Sequence, residues 1–398
     1  MRMRFYLYIL NLLFFAFVTN AAAEESMPST LQMQAGVDYW YLDQPPLSTD
    51  TTTRSITNLF MANSSPKWDY RSTSPWIKAS GDLQLSSGTT FRYKVRAEQS
   101  DGMKLDDFHI DWSISPRSGI RGGVVDYKTS LCRTYDLDSP WVRENDPFCV
   151  SRISNIAILS SPGVQAYAQS AYDNYHVEAL VGIYRPRAFG YAPDEFSNVA
   201  LQPNQTVEVN NRWGWSLNLL DTLKASEVRL SWLGGTQETN RAADGYRAQK
   251  NSLWYLSASF YPLQHLQVRG YFIRSSTKQD SYDDPYGDIK ILEADMVRES
   301  KALEVIYQIN GANTVGLGTS IYTHNWKLAG LNGYEALSSD DFLKFTQRSQ
   351  SVTWRHNFEN RVHSSIQFTQ SSNNELLWTQ RTQAKAWGIG LQIGYAYY

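Results

Sequence analysis

Beyond its first 23 residues the sequence has no apolar run long enough to cross a bilayer as a helix. The formal net charge is only −2, which gives no case for nucleic-acid binding. There is no Gly/Ser-rich or Pro-rich linker and no long run of like charges. The mature chain, residues 24–398, is therefore predicted to be one domain.

Motifs for catalysis and metal binding are also missing. The sequence has no G-x-S-x-G and no H-E-x-x-H, and its six histidines are scattered. It has no C-x-x-C spacing that would favour zinc. We therefore predict no catalytic residue, no metal and no cofactor. A hydrolase whose triad assembles from distant strands is kept as an alternative.

The first residues have the three parts of a secretory signal. Arg2 and Arg4 give a positive start, the run from Phe5 to Val18 is apolar, and three alanines precede Glu24. Residues 1–23 are predicted to be a signal peptide that is removed before Glu24. A retained anchor is the alternative, but the apolar run is short for a spanning helix.

Only two cysteines are present, Cys132 and Cys149, and they flank a polar segment rich in Asp and Pro. In an exported chain an even number of cysteines favours a disulfide. Two free thiols or a metal site are the alternatives.

What the sequence does have is alternation of apolar and polar residues. In the C-terminal stretch AWGIGLQIGYAYY, the odd positions are large and apolar, whereas nearly all even positions are small or polar. A period of two indicates a β-strand. With Trp and Tyr at its ends, a tilted strand of this length covers roughly 25 Å, the height of the apolar band of an outer-membrane barrel. The low mean hydropathy of −0.44 fits such a barrel, because only alternate residues face lipid.

About sixteen segments of this kind follow one another, joined alternately by tight turns and long connections. Among the later connections, long loops are expected near 236–249, 276–299, 324–346 and 372–383. The pattern predicts an all-β fold: a transmembrane antiparallel β-barrel of about 16 strands with short periplasmic turns and long extracellular loops. Closure leaves no unpaired strand edge in lipid.

At this level the chain resembles the general porins of Gram-negative bacteria. The resemblance covers essentially the whole mature chain and depends on the strand pattern, the long third loop from Lys128 to Pro162 and the aromatic last strand. It implies that the third loop folds into the barrel and narrows the pore, and that the barrels form homotrimers.

Charged residues on the polar strand faces are predicted to line the lumen. A basic wall facing an acidic third loop would create a transverse field and set ion preference. The alternative is that these charges merely pair and hydrate. The predicted lining residues are Arg92, Lys94, Arg96, Asp107, Asp111, Arg117, Arg121, Arg212, Arg229, Arg269 and Arg355, and the loop acids are Asp136, Asp138, Glu144 and Asp146.

The predicted function is passive diffusion of small hydrophilic solutes or ions through the outer membrane. The predicted partners are outer-membrane lipid and the solutes themselves. The alternatives are a channel specific for an anion or organic acid, a plugged transporter of hydrophobic ligands, a surface adhesin, and the hydrolase named above.

Overall fold

The computed structural model describes residues 29–43, 71–98, 102–126, 140–142, 160–184, 206–209, 212–241, 245–282, 289–359, 361–377 and 380–397. Nearly all of them lie in β-strands. The strands are β1 Ser29–Asp43, β2 Arg71–Ser86, β3 Thr89–Glu98, β4 Gly102–Ser115, β5 Ser118–Asp126, β6 Ser160–Tyr172, β7 Tyr175–Tyr184, β8 Thr206–Val209, β9 Arg212–Asp221, β10 Ser226–Arg241, β11 Gly245–Leu263, β12 Leu266–Tyr282, β13 Lys290–Gln308, β14 Asn313–Gly330, β15 Ser339–Asn357, β16 Val362–Leu377 and β17 Gln380–Tyr397.

Neighbouring strands pair antiparallel all the way round, and the sheet closes because β1 pairs with both β2 and β17. β8 and β9 both pair with β10, so these two segments share one position in the barrel. The described strands therefore occupy sixteen positions. This confirms the predicted closed barrel. Within the described residues no helix is long and apolar enough to cross a membrane.

The seam between first and last strand carries its own polar contacts inside the barrel. Asp38 of β1 is completely buried. Its Oδ1 accepts hydrogen bonds from Nε1 of Trp76 at 3.1 Å and from Nε2 of Gln392 at 2.9 Å. One carboxylate thus ties β1 to β2 on one side and to β17 on the other.

The two faces of the sheet differ as the alternation predicts. On β17 the side chains of Leu391, Ile393 and Tyr395 are exposed, whereas Gln392 is buried. Large apolar side chains are exposed at the same parity on most other strands, for example Leu303 on β13 and Leu317 on β14. Exposed apolar side chains therefore form a belt around the outside of the barrel, the surface that a lipid bilayer covers.

On the outer face of β9, β10 and β11 four tryptophans form one cluster. Trp232 lies 4.5 Å from Trp213 and 6.4 Å from Trp254 between ring centroids, and Trp254 lies 5.8 Å from Trp215. Indole rings favour the membrane–water interface, where the apolar ring is buried in lipid and the N–H keeps a polar partner.

Strands β12 to β17 extend further from the tight turns than the sequence predicts. The connection expected over 276–299 is strand up to Tyr282 and again from Lys290, and the one expected over 324–346 shrinks to residues 331–338. The reason is a reversal of polarity along β13: near the tight turn Leu303 is exposed and Glu304 buried, but further along Asp295 is exposed and Met296 buried. Beyond the lipid the outer face meets water, so the apolar side chains point inward.

Candidate functional site

The inner wall at β2 and β3 carries a charged pair that water reaches. Arg92 donates from Nε to Oδ1 of Asp82 at 2.8 Å and from a terminal nitrogen to Oδ2 at 3.2 Å. The two side chains are 39% and 42% exposed, far more than the other inward ion pairs. The register sets the pair directly opposite on neighbouring strands. This part of the wall therefore faces an aqueous space inside the barrel.

A second charged group continues the same wall across β4 to β7. Arg121 lies 3.0 Å from Asp111 and 3.5 Å from Glu178, and its guanidinium stands 4.2 Å above the ring of Tyr167. The Tyr167 hydroxyl donates to Asp111 at 2.8 Å. One arginine thus serves two carboxylates, which leaves this group with a net negative charge. Next to it His109 is hydrogen-bonded to Asp107.

On the far wall one ion pair is almost completely buried. Arg269 of β12 contacts Oε2 of Glu304 on β13 with Nε at 3.0 Å and with a terminal nitrogen at 2.5 Å. Their side chains are 4% and 0% exposed. Arg229 and Glu227 form a second pair at 2.8 Å on β10, where they are about as buried as Arg121 and its two acids.

A short segment of the third loop lies inside the barrel against this far wall. The indole N–H of Trp141 donates to Oε2 of Glu304 at 3.1 Å. The backbone N–H of Val142 donates to the side-chain amide of Gln367 at 2.9 Å, and the carbonyl of Pro140 accepts from Thr353 at 2.8 Å. Trp141 is 2% exposed and Val142 is completely buried. Three hydrogen bonds thus attach consecutive residues of the segment to β13, β15 and β16.

The wall makes room for this segment at Gly316. A methyl group built there would stand 2.8 Å from Cγ2 of Thr353, 3.0 Å from the Trp141 ring and 3.3 Å from the Pro140 ring. A side chain at this position would therefore press on both the neighbouring strand and the loop segment. The missing side chain on β14 is therefore part of the docking surface for residues 140–142.

Two apolar clusters also lie on the inner wall. The first, the inner aromatic cluster, comprises Val125, Tyr184, Leu233, Leu253, Tyr255, Tyr271, Ile273, Ala302, Tyr322 and Phe345. The second, the rim cluster, comprises Ala294, Met296, Trp326, Leu328 and Leu343. All of these side chains are less than 10% exposed although they point into the barrel. Buried apolar side chains therefore occupy part of the interior along β10 to β15, and the inner aromatic cluster extends to Val125 on β5 and Tyr184 on β7.

Solved structures with the same architecture are known, although no family model and no curated protein matches the sequence. The outer-membrane channel DcaP of Acinetobacter baumannii aligns with a TM-score of 0.58 at 7% identity, covering 94% of this chain and 98% of its own. The anion-selective porin of Comamonas acidovorans aligns with a TM-score of 0.55 at 13% identity, covering 94% and 100%. OmpF of Salmonella typhi, in complex with daunomycin, gives 0.50 at 11%, covering 93% and 97%.

This is the fold of the outer-membrane porins. Identities this low show a shared fold and not a shared solute. The porin fold together with the apolar outer belt is that of a barrel embedded in a lipid membrane. Only a closed barrel or a helix satisfies every backbone hydrogen bond within lipid.

Several predicted lining residues of this porin fold are paired with acids. Asp82–Arg92, Asp111–Arg121 and Arg269–Glu304 are direct cross-strand partners in the register, which is why each base meets a carboxylate. Four of the predicted bases, Arg92, Arg121, Arg229 and Arg269, thus lie in ion pairs, as in the alternative weighed from the sequence. The inward-facing Arg355 is also bonded, donating to Asn357 at 2.8 Å.

Other predicted residues lie elsewhere. Arg117 is not on a strand: it is exposed in the turn between β4 and β5, where its backbone N–H donates to Ser115. Lys94 is half-buried on β3, opposite Asp107 in the register. Arg96 and Arg212 occupy inward strand positions, but their side chains lie outside the described part of the structure, as do residues 1–23, Cys132, Cys149, Asp136, Asp138, Glu144 and Asp146.

Sequence reasoning placed Glu304 on the lumen face but missed Trp141, Gln367 and Thr353, and with them the attachment of the loop segment to the wall. A weak signal exists for Trp141, because a large aromatic in the polar stretch SPWVRE needs a burial site. The sequence also carries a weak signal for the inner aromatic cluster, because in SLWYLS on β11 both faces of the strand are apolar. Neither signal says which strands supply the partners.

Proposed function

We propose that the protein is a passive channel for small hydrophilic solutes in the outer membrane, with the third loop forming the constriction. One observation carries the proposal: the barrel interior has an exposed charged side at Asp82 and Arg92 and a buried side where residues 140–142 are attached. Loop and apolar clusters fill one side of the lumen, and solutes pass along the other. No step of this mechanism needs catalysis, energy or a cofactor.

The proposed orientation places the long loops outside the cell and the tight turns in the periplasm. β1 begins and β17 ends at the rim of the tight turns, where Met33 pairs with Tyr397. This is the arrangement expected when an even number of strands brings both termini to the periplasmic side. Homotrimerisation, a disulfide between Cys132 and Cys149, and acidic residues on the constriction loop belong to the same proposal.

Conductance in a planar bilayer tests the channel directly. We expect steady single-channel steps in KCl that scale with bulk conductivity. The second candidate function, a transporter of hydrophobic ligands with a filled lumen, is favoured by the burial of the inner aromatic cluster. It would give little or no ion current, and this outcome would contradict the porin proposal.

Ion selectivity should be weak, because the exposed lining is paired. Neutralising one member of the Asp82–Arg92 pair should unmask the other. We expect Asp82→Asn to shift the reversal potential in a KCl gradient towards anions and Arg92→Gln to shift it towards cations. Both shifts should shrink as salt rises, since the Debye length falls from about 10 Å at 0.1 M to about 3 Å at 1 M.

Asp173→Asn is the matched control, because Asp173 lies in the turn between β6 and β7 and is exposed. It should leave the reversal potential unchanged. The Comamonas acidovorans porin, which shares this fold, is anion-selective. A strong anion preference in the unmodified protein would favour the anion-specific channel over the weakly selective one proposed here.

A further inference from the structure

The connection between β14 and β15 carries an asparagine followed by a glycine, Asn332 and Gly333, and both residues are exposed. Both have positive φ angles, 51° for Asn332 and 95° for Gly333. A Cβ built on Gly333 would meet no heavy atom within 4 Å, so open space surrounds this residue. The backbone nitrogen that follows the asparagine side chain is therefore sterically unhindered.

A carboxylate lies beside this nitrogen. The backbone N–H of Gly333 donates to Oε1 of Glu335 at 3.3 Å. An amide nitrogen becomes a nucleophile only when it loses its proton, and a carboxylate that already accepts its hydrogen bond is placed to take that proton. The connection thus brings together a side-chain amide, an unhindered nitrogen next to it in the chain, and a base.

The side chain of Asn332 is held through its nitrogen alone. Within the described residues it makes one hydrogen bond, from Nδ2 to the backbone carbonyl of Lys290 at 2.6 Å. This bond attaches the connection to the start of β13, as does the backbone bond from Leu331 to Ile291 at 2.9 Å. It leaves the side-chain carbonyl, whose carbon a nucleophile attacks, free to turn towards Gly333.

A second asparagine–glycine pair offers an internal comparison. Asn310 and Gly311 lie exposed in the tight turn between β13 and β14, and a Cβ built on Gly311 also meets nothing within 4 Å. Here Oδ1 of Asn310 accepts three hydrogen bonds, from the backbone of Ala312 at 3.0 Å and from the backbone and side chain of Asn313 at 2.8 Å and 3.0 Å. Attack by the Gly311 nitrogen would have to break this arrangement, and no carboxylate contacts that nitrogen within the described residues.

We propose that Asn332 is a site of self-modification, at which the backbone nitrogen of Gly333 displaces the side-chain amide with Glu335 as the base. Glu335 takes the proton of the Gly333 N–H, and the nitrogen attacks Cγ of Asn332. The bond from Cγ to Nδ2 breaks, and the nitrogen leaves with that proton as ammonia. Water then opens the five-membered ring at either of its carbonyls. The product is an aspartate or an isoaspartate at position 332, with one water consumed and one ammonia released.

The product changes both the charge of the connection and its attachment. A carboxylate at position 332 has no N–H to donate to the carbonyl of Lys290, so the side-chain attachment to β13 is lost. The reaction also adds one negative charge to an exposed part of the rim. This rim of the barrel therefore differs between freshly made and aged copies of the protein.

Peptide mapping of the folded mature protein, incubated in detergent at neutral pH, tests the proposal. Mass spectrometry and labelling by an isoaspartyl methyltransferase follow the products at both asparagines over time. We expect position 332 to convert at least roughly tenfold faster than position 310, a modest share of the roughly 10²–10⁴-fold that a positioned base contributes. In urea-unfolded protein the two positions should convert at similar rates, because each is then a plain asparagine–glycine pair.

Glu335→Gln should slow conversion at position 332 roughly tenfold and leave position 310 unchanged, because an amide accepts the same hydrogen bond but takes up no proton. Glu359→Gln is the matched control, since it removes an exposed acid from the turn between β15 and β16. It should change neither rate.

Three results would overturn the proposal. The first is equal conversion at the two asparagines in the folded, unmodified protein, a comparison that needs no variant and stands even if Glu335→Gln does not fold. The second is an unchanged rate at position 332 in folded Glu335→Gln. The third is aspartate without isoaspartate at position 332, because direct hydrolysis of the side chain by water gives aspartate alone.

Discussion

Replacing Trp141 with alanine is expected to widen the channel and raise its single-channel conductance roughly twofold, since conductance follows the narrowest cross-section of a pore. The indole fills space beside Gly316 and donates to Glu304, which joins the third loop to β13. Without the ring, residues 140–142 lose both a hydrogen bond and a buried apolar contact. Current noise should rise as well, because the segment would leave the wall more often.

Two variants separate volume from hydrogen bonding in this experiment. Trp141→Phe keeps most of the ring but removes the donor, and should give an intermediate conductance. Trp112→Ala removes an equal volume from the outer face, where Trp112 is 46% exposed, and should leave conductance unchanged. If Trp141→Ala conducts like the unmodified protein, residues 140–142 do not limit the pore.

Replacing Glu304 with glutamine is expected to destabilise the barrel by about 3–5 kcal/mol, the usual cost of removing one member of a buried ion pair. Arg269 is 4% exposed and its guanidinium contacts Glu304 through two nitrogens. The amide keeps the shape of the carboxylate and can still accept from Trp141. The loss should therefore come from the weakened contact with the charged Arg269. Urea unfolding of the refolded barrel in lipid vesicles, followed by gel mobility, measures it.

The double variant Arg269→Met with Glu304→Leu is the critical comparison. Replacing a buried ion pair by apolar residues of similar volume is often neutral or stabilising, so the double variant should be more stable than Glu304→Gln alone. Glu299→Gln, which breaks the outward contacts to Arg274 and Lys301, should cost no more than about 1 kcal/mol. Equal stability of Glu304→Gln and the unmodified protein would mean that water reaches Arg269.

The limits of prediction show at the loop ends of the strands. In β13 the sequence places Leu303 outside and Glu304 inside, and the barrel agrees. Further along the same strand, Asp295 is outside and Met296 inside. A pattern search takes this reversal for the end of the strand, because alternation identifies two faces but not which face meets water. Only the height of each residue relative to the lipid belt decides that.

The sequence also predicted the charged lining only in part. Arg92, Arg121 and Arg269 all point inward as their strand parity required. That each is paired was not predictable, because pairing depends on register. One residue of slip would place Asp82 away from Arg92. These three predicted bases therefore lie in local ion pairs, and the predicted basic field stays a prediction.

The sequence by itself determined the closed antiparallel barrel with its apolar exterior, because alternation and aromatic strand ends are local properties that each segment carries alone. The tertiary structure decided what the barrel contains. Residues 140–142 bind Glu304, Thr353 and Gln367, residues far away in the chain, and no local pattern encodes such distant partners. Which side of the lumen is filled and which is exposed to water is decided only after the barrel has closed and the loop segment has bound to the inner wall.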